Sequence, residues 1–563
     1  MSVGATALAD LHRARRRRRI AQLDPFEALY RAYVAAIVGG IVLWLASGAV
    51  GDTKVGAHQA AAVAAHGAPW VGLGAAAAFA IGLRSGGRGG PLVIEAADVR
   101  HVLMSPLPRK LVLRGPAARQ LRSATFSALV VGAALGLLAW RRLPGNPAAW
   151  VASAAAASAL AAAGSLGLAM VVSGRRLGAR VGSLLSVGVL AWSAADIVTR
   201  SVTSPMSALG VLALWPLRWS PIGLAGVALP LAAAAAGLVT VGGCSIEAAE
   251  RRATLVGQIR FAATLQDIRT VTVLRRQLAQ EVPRQRPWVD LGTAVAVGGR
   301  RPRAARTGPA WRRSWASILR FPAVRLARLA VLGAVAGVSL LGAWRGTTPL
   351  VVVAGLALHV AALDAIEPVA QEVDHPDRAE SYAVERGALQ LRLAAPPLAL
   401  VVLVGVFGVA AAAAVAGAVS TSGTGALSAA EVGAVVLVPA ALLGLGSALV
   451  STVNGPPPLF SGPDSLMPPE MAGVKGILRA LLPPALAVVG VLPVLAGRHP
   501  RPGEGTVAAV ALTVPEVLVV AVLVGMWVLR KDRISAWWRA AMEEGNRQRG
   551  ARVAGRSPGA GGV

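Results

Sequence analysis

The sequence predicts an all-α polytopic membrane protein of about 12 transmembrane helices, arranged as two diverged six-helix halves with cytoplasmic N- and C-termini. Three observations predict it. Hydrophobic residues make up 55% of the chain and charged ones 15%, with a mean hydropathy of +0.60, whereas a soluble domain carries about 25% charged residues. Apolar runs near the roughly 20 residues that cross a bilayer recur along all 563 residues. Lipid offers no partner to a free backbone group, and the Ala/Leu/Val/Gly blocks lack the two-residue alternation of a barrel, so the spans are helical. The third observation is where the net charge of +29 sits. With a cytoplasmic N-terminus, the outer loops hold Lys54, Arg141, Arg142, Arg200, Arg218, Arg345, Arg498 and Arg501, 8 of the 56 Lys and Arg. The rest lie inside or at inner helix ends, as the positive-inside rule requires, and nucleic acid is not needed to explain the charge.

The first half opens with a basic cytoplasmic segment and an interfacial helix at 1–32, in which Asp24 caps, Pro25 starts and Glu27 completes the first turn. Phe26, Leu29, Tyr30 and Tyr33 recur at helical spacing, which suits either an amphipathic helix on the inner leaflet or a plain helical lead-in. The first transmembrane half, 33–243, carries spans at 33–50, 69–83, 123–140, 147–172, 181–198 and 220–243. The loop at 51–68 is small and nearly free of charge. Between the fifth and sixth spans, SPMSALGVLALWPLRWSP is apolar but too short to cross, the mark of a re-entrant or interfacial segment anchored by Trp215 and Trp219.

The connector, 244–323, holds 15 arginines against five acidic residues. Leu255, Ile259, Ala262 and Leu265 give its first part helical periodicity, an Arg/Gly/Pro linker follows, and RRSWASILRFPAVRLAR forms a second lead-in. The second half, 324–529, carries spans at 326–344, 349–366, 394–420, 427–450, 476–497 and 506–529. Its inner loop at 451–475 is proline-rich and reads as extended, and the tail at 530–563 is basic with a Gly/Arg end. Cys244 is the one cysteine, so no disulfide forms within the chain. VGGC resembles a lipid-attachment box but lies mid-chain, where an ordinary small residue at a helix end is the simpler account. The basic run Arg13–Arg19 precedes an uncleaved first helix rather than a cleaved export signal, because many further spans follow.

Function is most legible in two polar inserts. IEAADVRHVLMSPLPRKLVLRGPAARQLR at 94–122 and IEPVAQEVDHPDRAESYAVERGALQLRL at 366–393 each sit between the second and third spans of their half. Each begins Ile-Glu, passes through an acidic helical stretch and a bend, and reaches an arginine, Arg109 or Arg386, that starts a helix into the membrane. Pro106 and Pro108 end the first acidic helix. These are either docking loops for a cytoplasmic partner or two solvated loops.

The chain lacks G-x-x-x-x-G-K-[ST], so it is not expected to hydrolyse ATP itself. The seven histidines are scattered without metal-ligand spacing, and His359 reads as a packed or pore-facing side chain. Asp196, Asp364, Glu431 and Glu516 lie near span ends, where snorkelled or interface positions account for them, so no internal proton or sodium relay stands out. A chain without its own energy source but with two elaborate inner loops points to energy delivered from outside.

The order of interfacial helix, two spans, inner loop with an SPLPR bend, and four further spans with a Trp-rich short segment before the last resembles the membrane subunits of ABC-2-type exporters. VRHVLMSPLPRKLVLR is similar to the inner loop of those permeases. The double-length form, with RFAATLQDIRTVTVLRRQL in its connector, resembles putative ABC exporter proteins of actinobacteria. The resemblance implies a permease in the bacterial cytoplasmic membrane, coupled to a separate ATPase that carries ATP-Mg; apart from it, Arg114, Arg119 and Arg122 suit an anionic leaflet, and no cofactor or metal is expected in this chain. Carried onto this sequence, the coupling residues are Glu95, Asp98, Pro106, Arg109 and Lys110, with Glu367, Asp374, Asp377, Glu385 and Arg386 in the second copy. The second copy departs from the pattern, since YAVER replaces SPLPR and acidic residues dominate. The alternatives are a non-transporting membrane scaffold that recruits a partner through its basic connector, or a secondary carrier.

Overall fold

In the computed structural model the chain forms two compact units, one comprising Met1–Thr264 and Thr270–Gln280, the other Leu265–Arg269 and Glu281–Val563. The structure describes residues 10, 13–14, 17–18, 25–49, 54–94, 96–105, 107–264, 270–271, 274, 277–278, 283–289, 309–419, 424–454 and 481–554. Asp24, Glu95, Pro106, Leu265, most of Arg13–Arg19, most of the Arg/Gly/Pro linker, the proline-rich loop from 455 and the Gly/Arg end from 555 lie outside the described residues.

Among the described residues every regular element is helical. The first unit contains α1 (Pro25–Ala49), α2 (Ala57–Gly86), α3 (Ala96–His101), α4 (Arg109–Arg142), α5 (Pro147–Gly174), α6 (Ala179–Thr199), α7 (Pro205–Ala213), α8 (Ile222–Thr240) and α9 (Ile246–Thr264). The second contains α10 (Pro309–Ile318), α11 (Ala323–Trp344), α12 (Leu350–Ala365), α13 (Glu367–Asp374), α14 (Pro376–Glu380), α15 (Arg386–Val419), α16 (Thr424–Asn454), α17 (Leu481–Arg498) and α18 (Thr506–Ala554). Ten of the described helices are long and apolar enough to cross a membrane, or eleven if α12 and α13, bent by 58° at their junction, count as one span. The protein is thus an all-α polytopic membrane protein.

Helices replace three features that the sequence suggested. The stretch 57–68, expected as loop, is the start of α2, because AHQAAAVAAHGA is rich in alanine and Pro69 is accommodated inside the helix. The aromatic lead-in and the first apolar run form one uninterrupted helix, α1, with Phe26, Leu29, Tyr30 and Tyr33 exposed. The tail continues α18 to Ala554, making a helix of 49 residues, since no proline interrupts it after Pro515.

In the first unit the short apolar segment between α6 and α8 is α7, packed against α2, α5 and α8. Met206, Leu209, Leu212 and Ala213 bury there with Ala76, Phe79 and Ala157. Ser204 caps α7 by accepting from Ser207 N at 3.1 Å, and Pro205 occupies its first position. In the second unit α11 and α15 cross at backbone contact: a Cβ at Gly337 would lie 1.9 Å from the Gly408 carbonyl oxygen, so only glycine fits there. Cys244 is buried with its Sγ 3.3 Å from Ser173 Oγ, and burial pushes its thiol pKa up. It behaves as the packed small residue expected from its position.

Two carboxylates depart from the surface positions expected of them. Asp196 and Asp364 are buried, whereas Glu431 and Glu516 are exposed. Asp196 is held by backbone and hydroxyl donors at the start of α7, and Asp364 pairs with Arg328 of α11. Both are compensated inside the fold, which is what burial of a charge demands.

Candidate functional site

The first polar insert leaves α2 as an extended run whose Leu92 and Ile94 turn inward, then forms α3 with Val99 buried. Asp98 sits in the first turn of α3, where a carboxylate suits the helix dipole. His101 ends that helix and a turn follows, in which Ser105 Oγ donates to the Val102 carbonyl at 2.6 Å. A new helix begins at Arg109 after Pro108, as the prolines require. Gln120 of α4 fastens the insert from below: its Nε2 donates to the Pro91 carbonyl at 2.8 Å, and its Oε1 accepts from Val93 N at 3.2 Å. Val112, Leu113 and Ala117 of α4 face inward with Leu92, Ile94, Val99 and Leu103, and α9 closes this cluster through Ala249 and Ala253.

What faces outward at the bend is a mixture of apolar and basic groups. Met104 is 69% exposed and Leu111 42%, beside exposed His101, Pro108, Arg109 and Lys110. Arg109 and Lys110 have no ion pair among the described residues, while Asp98 is half-buried with its own interactions. Of the first copy's predicted residues, the structure therefore places Arg109 and Lys110 together on an open surface, with Asp98 one helix away; Glu95 and Pro106 are outside the described residues.

The second insert is built differently but also ends at an arginine that opens a long helix. It bends away from α12 into α13, passes through α14, and reaches α15 at Arg386; α4 and α15 are each 34 residues long. Its surface is different, because each of four glutamates is matched by an arginine. Glu367 pairs with Arg325 at 2.9 Å, Glu372 with Arg313 at 3.1 Å and Arg378 at 3.2 Å, and Glu380 with Arg386. Glu385 takes both Nε and Nη2 of Arg533, from α18, at 3.0 and 3.1 Å. Glu372 is only 4% exposed, so its two arginines compensate a buried charge. Asp374 and Asp377 remain at the exposed rim.

Two helices cover what the ion pairs leave. α10 lies on the insert, with Ala310 in the same apolar cluster as Ile366, Val369, Ala379 and Leu389, and Ser314 Oγ donates to the Leu393 carbonyl at 2.8 Å. On the other side α18 touches the first turn of α15: a Cβ at Gly387 would lie 2.7 Å from the carbonyl oxygens of both Val528 and Leu529. Lys531 completes the seam by donating to the Val453 carbonyl at the end of α16. The sequence singled out Glu367, Glu385 and Arg386 but not Arg313, Arg325, Arg378 or Arg533, which hold this insert closed.

Comparison with protein-family models, with curated proteins and with solved structures finds no match to any of them. The inserts are accordingly interpreted from their own chemistry. Among the described residues the inserts present a charged, partly apolar bend in one unit and a largely neutralised one in the other.

Proposed function

We propose that this chain is the transmembrane permease of an ABC-type exporter, coupled through its polar inserts to a separate ATPase. The single observation that supports this best is the recurrence, in two separate compact units, of a polar insert, after α2 in one and after α12 in the other, that ends at an arginine opening a 34-residue helix. A solvated loop needs no such construction. Gln120 clamping residues 91–93 to α4, and α13 packed on α15, mean that a push on either insert moves a membrane helix along with it. Mechanical input is what a permease without its own phosphate-binding loop requires.

In this account the chain contributes twelve spans as two six-helix halves with both ends in the cytoplasm, and sits in the bacterial cytoplasmic membrane. The resemblance of VRHVLMSPLPRKLVLR to the inner loop of ABC-2-type permeases supports the same conclusion. ATP-Mg belongs to the partner, and anionic lipid to the basic inner rim.

The test is purification of the full-length chain from native membranes in mild detergent, with co-purifying proteins identified by peptide mass spectrometry. The account expects an ATPase bearing a phosphate-binding loop. Reproducible recovery without one favours the membrane-scaffold alternative.

A further inference from the structure

We infer that the second unit holds a site for one acyl chain of a membrane phospholipid, in a long apolar slot between α11 and α16 with α15 as its floor. The site goes beyond the permease reading and depends on no ATPase.

The slot follows from how three helices pack. α11 and α16 each pack along α15 but have no extended contact with each other. Gly333, Gly337 and Gly408 bring α11 and α15 together at the backbone: a Cβ at Gly408 would lie 2.5 Å from the Gly333 carbonyl oxygen. Where α16 meets α15, Val409 seats against Gly433, its Cγ2 2.9 Å from the place a Cβ would take, and Leu437 fills the notch at Gly405. Both helices are thus held close to α15, and a recess of about 630 Å³, its open side included, remains between them. Its lining runs from Gly333 to Trp344 on α11, from Val401 to Ala412 on α15 and from Ala429 to Ala441 on α16, at the three- and four-residue spacing of one helix face. At about 1.5 Å per residue these stretches rise about 17–18 Å, so the slot is elongated along the helix axes.

The chemistry of the lining names the ligand. All twenty lining residues are Gly, Ala, Val, Leu or Trp, and the one polar side-chain atom among them, Nε1 of Trp344, donates to the Gly497 carbonyl at 3.3 Å. A buried water needs several polar partners, which these side chains do not offer. A hydrocarbon chain supplies the dispersion contacts that an unfilled slot forgoes.

Shape and surroundings select a lipid chain over a compact apolar molecule. The slot is as extended as a chain, and Leu340, Trp344 and Leu437 are half-buried, so it is not sealed from the surface. Neighbouring Val335, Phe407 and Val438 are exposed apolar groups, a surface that lipid tails solvate. Cations gather at the Trp344 end. Arg345 is exposed there, and Arg498 donates to the Thr348 hydroxyl at 2.6 Å and to the Gly346 carbonyl at 3.4 Å. Glu431 stands on the face of α16 opposite the lining. Positive charge at the end of an apolar slot suits a phosphate headgroup above a buried chain.

The experiment uses the full chain in liposomes containing phosphatidylglycerol with a photoreactive diazirine in its acyl chain. A second arm uses free hexadecane carrying the same group, and labelled residues are mapped by peptide mass spectrometry. We expect the lipid probe to label the buried faces at Gly408 and Val436 as well as exposed Val335, Phe407 and Val438, which any surrounding lipid reaches. The Ala336→Leu/Ala412→Leu variant, which fills the slot, is expected to cut labelling of the buried faces roughly tenfold or more, since crowding a packed site weakens binding by about a decade. Labelling of the exposed residues is expected to stay unchanged in it. Labelling confined to exposed residues, buried faces labelled by free hexadecane alone, or buried labelling undiminished in the filled variant each overturns the proposal. If the filled variant does not insert, the two wild-type maps decide.

Discussion

Asp196 shows how a carboxylate at the end of a span is used by the fold itself. Its Oδ1 accepts from Thr203 N at 3.2 Å and from the Thr203 hydroxyl, and its Oδ2 accepts from Ser204 N at 2.9 Å. Arg200, in the left-handed conformation at φ 53°, turns the chain back so that these donors converge. The carboxylate thereby orders the loop that launches α7, the short helix at the centre of the first unit's core. Replacing it with leucine strands the buried backbone donor Ser204 N, at about 1–3 kcal/mol, and also removes the acceptor of the part-buried Thr203 N, whereas asparagine keeps an acceptor. Asp196→Leu is therefore expected to lower the melting temperature in detergent markedly and Asp196→Asn much less. Equal effects would show that the side chain's hydrogen bonding does not matter. Sequence pattern located Asp196 near a span end but not its burial, because Thr203 and Ser204 reach it only through the turn at Arg200.

Among the elements, the two inserts differ in how readable they were. The helix starts at Arg109 and Arg386 were legible, since prolines or a charged bend precede each and an apolar run follows. The closure of the second insert was not. Arg533 meets Glu385 across 148 residues, and Arg313 reaches Glu372 from the connector, so no local spacing announces either pair. What looked in sequence like an acidic docking loop is neutral at most of its acids once folded. Breaking a buried ion pair from one side costs about 3–5 kcal/mol, because the remaining charge has no partner. Glu372 has two partners, so the Arg313→Ala/Arg378→Ala double variant is expected to lose more stability than the two single variants added together. Adding Glu372→Gln to the double variant is expected to restore part of the loss. Simple additivity in thermal melts, with no rescue, would contradict the description of Glu372 as a buried charge held by two arginines.

At the scale of the whole molecule, hydropathy made the class of protein legible, because burying backbone in lipid leaves few solutions other than long apolar helices. The two compact units divide between residues 264 and 281. The number of crossings was less legible: α12 bends by 58° into α13, and α18 runs on for 49 residues without a break at the membrane edge. Hydropathy measures where a helix is apolar and is silent on where it bends or how far it projects. Function at this scale depends on whether an ATPase uses the first insert to drive the helices.

The most direct measurement is the ATP hydrolysis rate of the partner ATPase reconstituted in liposomes with wild-type chain or with the Arg109→Glu/Lys110→Glu variant, at matched insertion. The account predicts that wild-type chain stimulates hydrolysis and that the variant removes most of the stimulation. Equal stimulation by both proteins would contradict coupling through the bend at Arg109.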